Sequence, residues 1–129
     1  KLPYGNGDTS AGNDVFWLPV PGRTPILISP DQQAALMQRL ATGNVPFSAN
    51  TLDILREIMT AKTTGRGTLL GKTGTGGAGK ETPAVGWFVG YVVSGKTTRA
   101  FACVLTGRDA SGKDARALVE QICAAQDWL

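Results

Sequence analysis

Hydrophobic and polar positions follow helical spacing in the first half of the chain, beginning with residues 28–43, ISPDQQAALMQRLATG. Ser29 is suited to cap a helix, and Gln32 completes a capping box with it. Leu36 and Leu40 are four residues apart and therefore lie on one helical face. The pattern predicts an amphipathic helix that begins just after Ser29 and ends before the glycine at position 43.

Two further segments show the same period. One runs from about residue 49 to residue 61, and the other follows Ser111, a second capping residue. We expect each helix to bury one apolar stripe, made of Leu52, Leu55, Ile58 and Met59 in the first and Leu118, Val119, Ile122 and Cys123 in the second.

Three strands are predicted between these helices: GTLLGKTG (67–74), AVGWFVGYVV (84–93) and TRAFACVLTG (98–107). The middle strand is apolar on both faces, which is typical of a strand covered on both sides. Gly86 and Gly90 share one face and allow another element to approach closely. The turn at 94–97 joins the last two strands into a hairpin. Together the elements predict an α+β fold with an antiparallel sheet flanked by helices.

Composition narrows the function classes. The chain has 129 residues and is 42% hydrophobic, which suits one compact domain with a real core. It contains no histidine, which excludes a Ser-His-Asp triad and most zinc enzymes. The net charge of +3 is spread along the chain without a basic block, which argues against nucleic acid as the main partner. No apolar run approaches the roughly 20 residues of a membrane span. Cys103 and Cys123 form either two free thiols, the preferred interpretation, or a disulfide.

The segment LLGKTGTGGAGKETP (69–83) resembles a phosphate-binding loop, but it departs from that motif at Arg66 and Glu81. A P-loop also leads from a strand into a helix, whereas this segment leads from strand to strand, so we reject a nucleotide site. Lys72 and Thr73 point to opposite faces of a strand. Such a strand either binds a ligand along its backbone or is an edge strand with a protective lysine.

Four motifs occur in a consistent order: YGN (4–6), SAGNDVFWL (10–18), ISPDQQ (28–33) and GKTGTG (71–76), the last followed by the strand at 84–93. This pattern resembles the class D, or oxacillinase-type, β-lactamases and the related β-lactam sensor domains, within the penicillin-binding transpeptidase superfamily. The resemblance implies a β-lactamase/transpeptidase-like fold. It further implies that residues 1–129 form the C-terminal portion of one such domain, with about three strands and three helices.

The resemblance also implies roles in hydrolysis of β-lactams through a serine acyl-enzyme. Lys72 would be the electrostatic lysine near substrate and nucleophile, and Thr73 would bind the substrate carboxylate beside Gly74. The backbone N–H of Thr75 would form half of the oxyanion hole. Arg116 would bind the same carboxylate, and the alternative is a surface arginine in the first turn of its helix.

The resemblance also implies roles for three residues nearer the start of the chain. Tyr4 and Asn6 would line the site, with a plain turn as the alternative. Trp17 would support a carbamylated catalytic lysine, and it can also be a core aromatic residue. The resemblance implies no metal and no other cofactor.

The chain departs from the family pattern because the Ser-x-x-Lys and Ser-x-Val motifs, which precede Tyr-Gly-Asn in the family, do not occur in it. The expected partner is therefore the N-terminal half of the same domain, as a second chain or a swapped copy, besides a β-lactam. We expect a periplasmic or secreted bacterial protein. A non-hydrolysing sensor, a cell-wall transpeptidase and an inactive truncated fragment remain alternatives.

Overall fold

A computed structural model of the protein describes residues 28–76 and 84–129. Three helices and four strands occur in these residues. In chain order they are α1 (Pro30–Ala41), α2 (Ala49–Met59), β1 (Thr60–Thr63), β2 (Thr68–Gly76), β3 (Ala84–Ser94), β4 (Thr97–Gly107) and α3 (Gly112–Ala125).

The strands form one antiparallel sheet in the order β1-β2-β3-β4. Helix α3 packs on one face of this sheet, while α1 and α2 pack on the other. Neighbouring residues of a strand point to opposite faces, and Leu69 accordingly contributes to the core under α3 whereas Leu70 contributes to the core under α1 and α2. The predicted α+β architecture is confirmed.

Strand β3 is central and has a core on each face. The core under α3 contains Leu69, Phe88, Val92, Ala115, Val119 and Cys123, and the core under α1 and α2 contains Met37, Leu40, Met59, Leu70 and Tyr91. The continuous apolar sequence of β3 is explained by this double coverage, as the pattern predicted.

Helix boundaries follow the capping signals. The side chain of Ser29 accepts from the backbone N–H of Gln32, and the Gln32 side chain accepts from the backbone N–H of Ser29, so the predicted capping box is present. Ser111 accepts from the N–H of Asp114 at the start of α3, which confirms the second predicted cap.

The segment after Met59 corrects the prediction in two respects. The helix predicted to continue to residue 61 ends at Met59, and Thr60–Thr63 form a fourth strand, because β-branched threonines favour extended backbone. Ile58 was predicted to be buried but is 69% exposed, and the predicted stripe of α3 is likewise wrong at Leu118 and Ile122, which are 38% and 48% exposed. Helix α2 packs through Leu52, Leu55 and Met59 instead, because its contact with the sheet is a narrow one beside β2.

Glycines allow α3 to begin directly on the sheet. A Cβ at Gly86 of β3 would collide with the backbone of Ser111, and a Cβ at Gly112 would lie 2.7 Å from the Gly74 oxygen. The first residues of α3 therefore touch the backbones of β2 and β3, as the glycine in the β3 sequence predicted.

Candidate functional site

Strand β2 extends beyond its neighbour β1. The pairing of β1 with β2 runs from Thr63 opposite Thr68 to Thr60 opposite Leu70, whereas β3 pairs with β2 along its whole length to Gly76. Within residues 28–76 and 84–129, no strand pairs with the outer side of Gly71–Gly76. We call this outer side of β2 the open edge.

The polar backbone groups that face the open edge follow from the alternation of the strand. In the β1–β2 turn the N–H of Thr64 donates to the carbonyl oxygen of Gly67 at 2.9 Å, so the backbone of Gly67 points toward β1. The register of β2 with β3 is uninterrupted, so every second residue points the same way. The N–H and C=O groups of Gly71, Thr73 and Thr75 therefore face the open edge.

Lys72 is exposed and lies on the face of the sheet that α1 and α2 cover, the same face as Leu70. Its ammonium group donates to the carbonyl oxygen of Thr73 at 2.8 Å, which places the charge at the open edge. An ammonium group in this position produces a positive potential beside the exposed N–H groups.

Thr73 and Thr75 point to the other face, toward α3. A Cβ at Gly112 would lie 2.9 Å from the Thr73 Cβ, so Thr73 contacts the first turn of α3. The Thr75 hydroxyl accepts a hydrogen bond of 2.8 Å from the backbone N–H of Gly112. The positive end of the α3 dipole therefore lies over the two threonines.

Packing requires glycine at positions 86 and 112 but not at position 74. A Cβ on Gly74 would meet no atom of the described residues closer than the Trp87 Cβ at 3.9 Å, which is ordinary contact. A side chain would therefore fit at this position as far as those residues are concerned. Its absence leaves the backbone of β2 accessible from the face that carries Lys72.

Arg116 lies one turn into α3, about 6 Å along the helix axis from Gly112. Its Nη2 donates to the carbonyl oxygen of Ala61 in β1 at 2.8 Å, and its Nε donates to Glu120 at 2.7 Å. The Arg116 guanidinium therefore lies at β1, on the α3 face of the sheet. Because β1 pairs with the outer side of β2, this is the same lateral edge of the sheet as the open edge.

Glu120 holds this arginine together with Lys62, whose ammonium group is 3.2 Å from the carboxylate. The hydrogen bond from Arg116 lowers the pKa of Glu120, with burial opposing that shift and Lys62 adding to it. The carboxylate thus stays ionised and fixes the direction of the Arg116 side chain.

The structure brings Lys72, Thr73, Gly74 and Thr75 to one edge and places Arg116 on the same side of the sheet. Tyr4, Asn6 and Trp17 lie outside the described residues.

Cys103 and Cys123 are free thiols, and burial raises the pKa of each. In the part of the chain that the structure describes, no group of three or more acidic, cysteine or histidine residues is placed to hold a metal, and no helix has the length and apolarity needed to cross a bilayer.

Sequence reasoning did not find the partners of two site residues. The hydrogen bond of Thr75 to Gly112 and the contact of Arg116 with Ala61 join residues 37 and 55 positions apart, and neither has a local signal. The pairing of Arg116 with Glu120 did have one, because oppositely charged residues four apart on a helix commonly pair.

Comparison with known proteins identifies the family of the chain. Residues 1–124 match the penicillin-binding protein transpeptidase domain family. The chain belongs to this family. Within the transpeptidase domain family it is similar to a probable β-lactamase of Bacillus subtilis, with 34% identity over 121 residues, which cover 94% of this chain and 42% of the relative. It is equally similar to the methicillin resistance mecR1 protein of Staphylococcus aureus, with 34% identity over 129 residues, which cover 99% of this chain and 21% of that relative.

Solved structures give the same family. A class D β-lactamase from Bacillus subtilis superposes with a TM-score of 0.73 and 30% identity, covering 95% of this chain and 47% of that structure. The predicted resemblance to class D β-lactamases and to the transpeptidase superfamily is confirmed. The chain spans less than half the length of these relatives.

Proposed function

We propose that this chain supplies the substrate-binding and oxyanion-stabilising part of a serine β-lactamase of class D type. The open edge of β2 carries the proposal, because it combines exposed N–H groups, a lysine ammonium group and an accessible glycine backbone. A β-lactam would lie along this edge as an added strand does, with its amide groups bonded to the backbone of β2.

Each residue would then have one role. The N–H of Thr75 would donate to the β-lactam carbonyl oxygen, which gains negative charge as the carbonyl carbon becomes tetrahedral. The carboxylate of the drug would lie on the α3 side, between the Thr73 hydroxyl and the Arg116 guanidinium, within reach of the positive end of the helix dipole. Lys72 would provide positive potential from the opposite face.

The nucleophile would come from a second segment that bears the Ser-x-x-Lys motif, because that motif does not occur in these 129 residues. The serine oxygen would bond to the β-lactam carbonyl carbon while the serine hydroxyl proton passes to the general base. The ring C–N bond would then break, and the ring nitrogen would take up that proton from the base. Water would then cleave the ester and release the hydrolysed drug. The family resemblance implies that the general base is a carbamylated lysine on that same segment.

The N-terminal half of the domain is the partner that this proposal requires. Strand β4 ends the sheet among the described residues, although Phe101, Cys103 and Leu105 are apolar and only half-buried. An apolar edge strand of this length needs a covering element. Since relatives are about twice as long or longer, we infer that the additional segment of the domain covers β4. Periplasmic or secreted localisation is part of the same proposal.

A β-lactam sensor is the second candidate function. It is favoured by the similarity to the mecR1 protein, which covers 99% of this chain. A sensor would be acylated by the same steps but would release the acyl group slowly. The two functions differ only in the rate of the second step.

A fluorescent penicillin tests the proposal. The native preparation is incubated with the label and then separated on a denaturing gel, with a heat-denatured sample and a sample pre-treated with unlabelled penicillin as controls. We expect label on the polypeptide that bears the Ser-x-x-Lys motif. Loss of the label over minutes would identify an enzyme, and retention would identify a sensor. We use the term full-length protein for this chain together with the proposed segment that bears the Ser-x-x-Lys motif. The absence of any labelled band from the full-length protein would contradict both functions.

A further inference from the structure

The end of β2 pairs with fewer neighbouring strands than its beginning does, among the described residues. Thr68–Leu70 pair with strands on both sides, whereas Thr75 pairs only with Gly86 of β3 among the described residues. An N–H group that stabilises an oxyanion must keep its direction, and a displacement of about 1 Å at such a site lowers the rate about 100-fold. Something besides the β ladder must therefore restrain the backbone of Thr75.

The hydroxyl of Thr75 provides a restraint. It accepts from the N–H of Gly112, which is the first residue of α3, at 2.8 Å. The first N–H groups of a helix have no partner within the helix, and the cap residue Ser111 serves the N–H of Asp114. The Thr75 hydroxyl thus accepts a hydrogen bond from the Gly112 N–H, which the Ser111 cap does not bind.

Packing makes this contact rigid. A Cβ at Gly112 would lie 2.7 and 2.9 Å from the backbone oxygen and nitrogen of Gly74, so helix and strand already touch. Glycine at position 86 similarly allows the backbone of Ser111 to rest on β3. The hydrogen bond therefore joins two backbones that cannot approach further and prevents them from sliding past each other.

We propose that the Thr75 hydroxyl is a positioning group, which fixes the Thr75 N–H along the open edge by binding the Gly112 N–H. This inference rests on the proposed function of that N–H. The hydroxyl points toward α3 and the N–H toward the open edge, so one residue connects the helix to the site of the developing charge. The hydroxyl itself does not touch the drug.

Three variants of the full-length protein test this role. Thr75→Val keeps the shape but cannot accept a hydrogen bond, Thr75→Ser keeps the hydroxyl, and Thr75→Ala lacks both. Stopped-flow measurement with a penicillin separates the acylation rate constant from the apparent dissociation constant. We expect Thr75→Val to lower the acylation rate about 10- to 100-fold while the dissociation constant changes less than about threefold. Thr75→Ser is expected to stay within about threefold of the unsubstituted protein in both.

Several results would overturn the proposal. An unchanged acylation rate in Thr75→Val would show that the hydroxyl positions nothing. A weaker dissociation constant with an unchanged rate would show that the hydroxyl binds the drug directly. If Thr75→Val does not fold, the comparison of Thr75→Ser with Thr75→Ala decides, and equal rates for those two would overturn the proposal.

A second readout separates this proposal from the proposed function. Amide hydrogen exchange reports the bond of Gly112 without any need for activity. We expect Gly112 to exchange at least about tenfold faster in Thr75→Val, or in Thr75→Ala, than in Thr75→Ser. Equal exchange would disprove the hydrogen bond. A folded, unsubstituted protein that no penicillin acylates would overturn the proposed function even if the exchange result is as expected.

Discussion

Replacing Lys72 with alanine is expected to lower the rate of β-lactam acylation about 100-fold or more. The ammonium group lies at the open edge and donates to the Thr73 carbonyl oxygen. The proposed function places the negative charge of the attacked β-lactam carbonyl beside it. Removal of one group that stabilises a developing oxyanion typically costs a factor of about 100 to 1,000. The exposed position of the side chain predicts little change in stability. The acylation rate of the full-length protein measures the first effect, and urea unfolding measures the second.

Lys96 provides the matched control. It lies in the two-residue turn between β3 and β4, is exposed, and is at the opposite end of β3 from the open edge. Lys96→Ala removes the same charge from the protein, so it reports any effect of net charge alone. We expect its acylation rate to stay within about twofold of the original. Equal losses in the two variants would contradict a local role for Lys72.

Gly86→Ala is expected to destabilise the protein by about 3 kcal/mol. A Cβ at this position would collide with the backbone of Ser111, and backbone cannot rotate away as a flexible side chain can. The start of α3 would have to move off the sheet, which would also break the bond between Thr75 and Gly112. The free energy of unfolding in urea measures the loss.

Gly107→Ala is the control for this variant. Gly107 lies at the end of β4, opposite Ala84, and a Cβ there would meet nothing within 4 Å of the described residues. We expect a change of no more than about 0.5 kcal/mol. If Gly86→Ala proved as stable as Gly107→Ala, α3 would not rest on β3 as described.

The elements that could be predicted from sequence are those with local signals. The Ser29 capping box, the cap at Ser111 and the doubly covered β3 each depend on a few neighbouring residues, and each was confirmed. The glycine at position 86 predicted a close approach correctly, although the approaching element could not be identified from the strand.

Strand β1 and the exposure of Ile58 could not be predicted in this way. Thr60–Thr63 follow the pattern of α2 directly, with no glycine or proline to mark the end of the helix, and their pairing with β2 makes them a strand. Ile58 fits the apolar stripe of α2 by spacing, but the helix meets the sheet along one narrow line. Tertiary context decided both cases.

The candidate site was predictable in part for the same reason. The sequence motif placed Lys72, Thr73 and Gly74 on a strand end, but the open edge exists because the pairing of β1 with β2 ends at Leu70. The side of the sheet on which Arg116 lies depends on its bond to Ala61, 55 residues away in the chain. Proximity of this kind comes from packing, which a local pattern does not encode.

A crystal structure of the full-length protein acylated by a penicillin tests the central claim most directly. The account predicts the ester carbonyl oxygen about 3 Å from the Thr75 nitrogen, with the drug lying along Gly71–Gly76. It also predicts the drug carboxylate between the Thr73 hydroxyl and Arg116. An acyl group bound away from this edge, with the Thr75 N–H directed elsewhere, would contradict it.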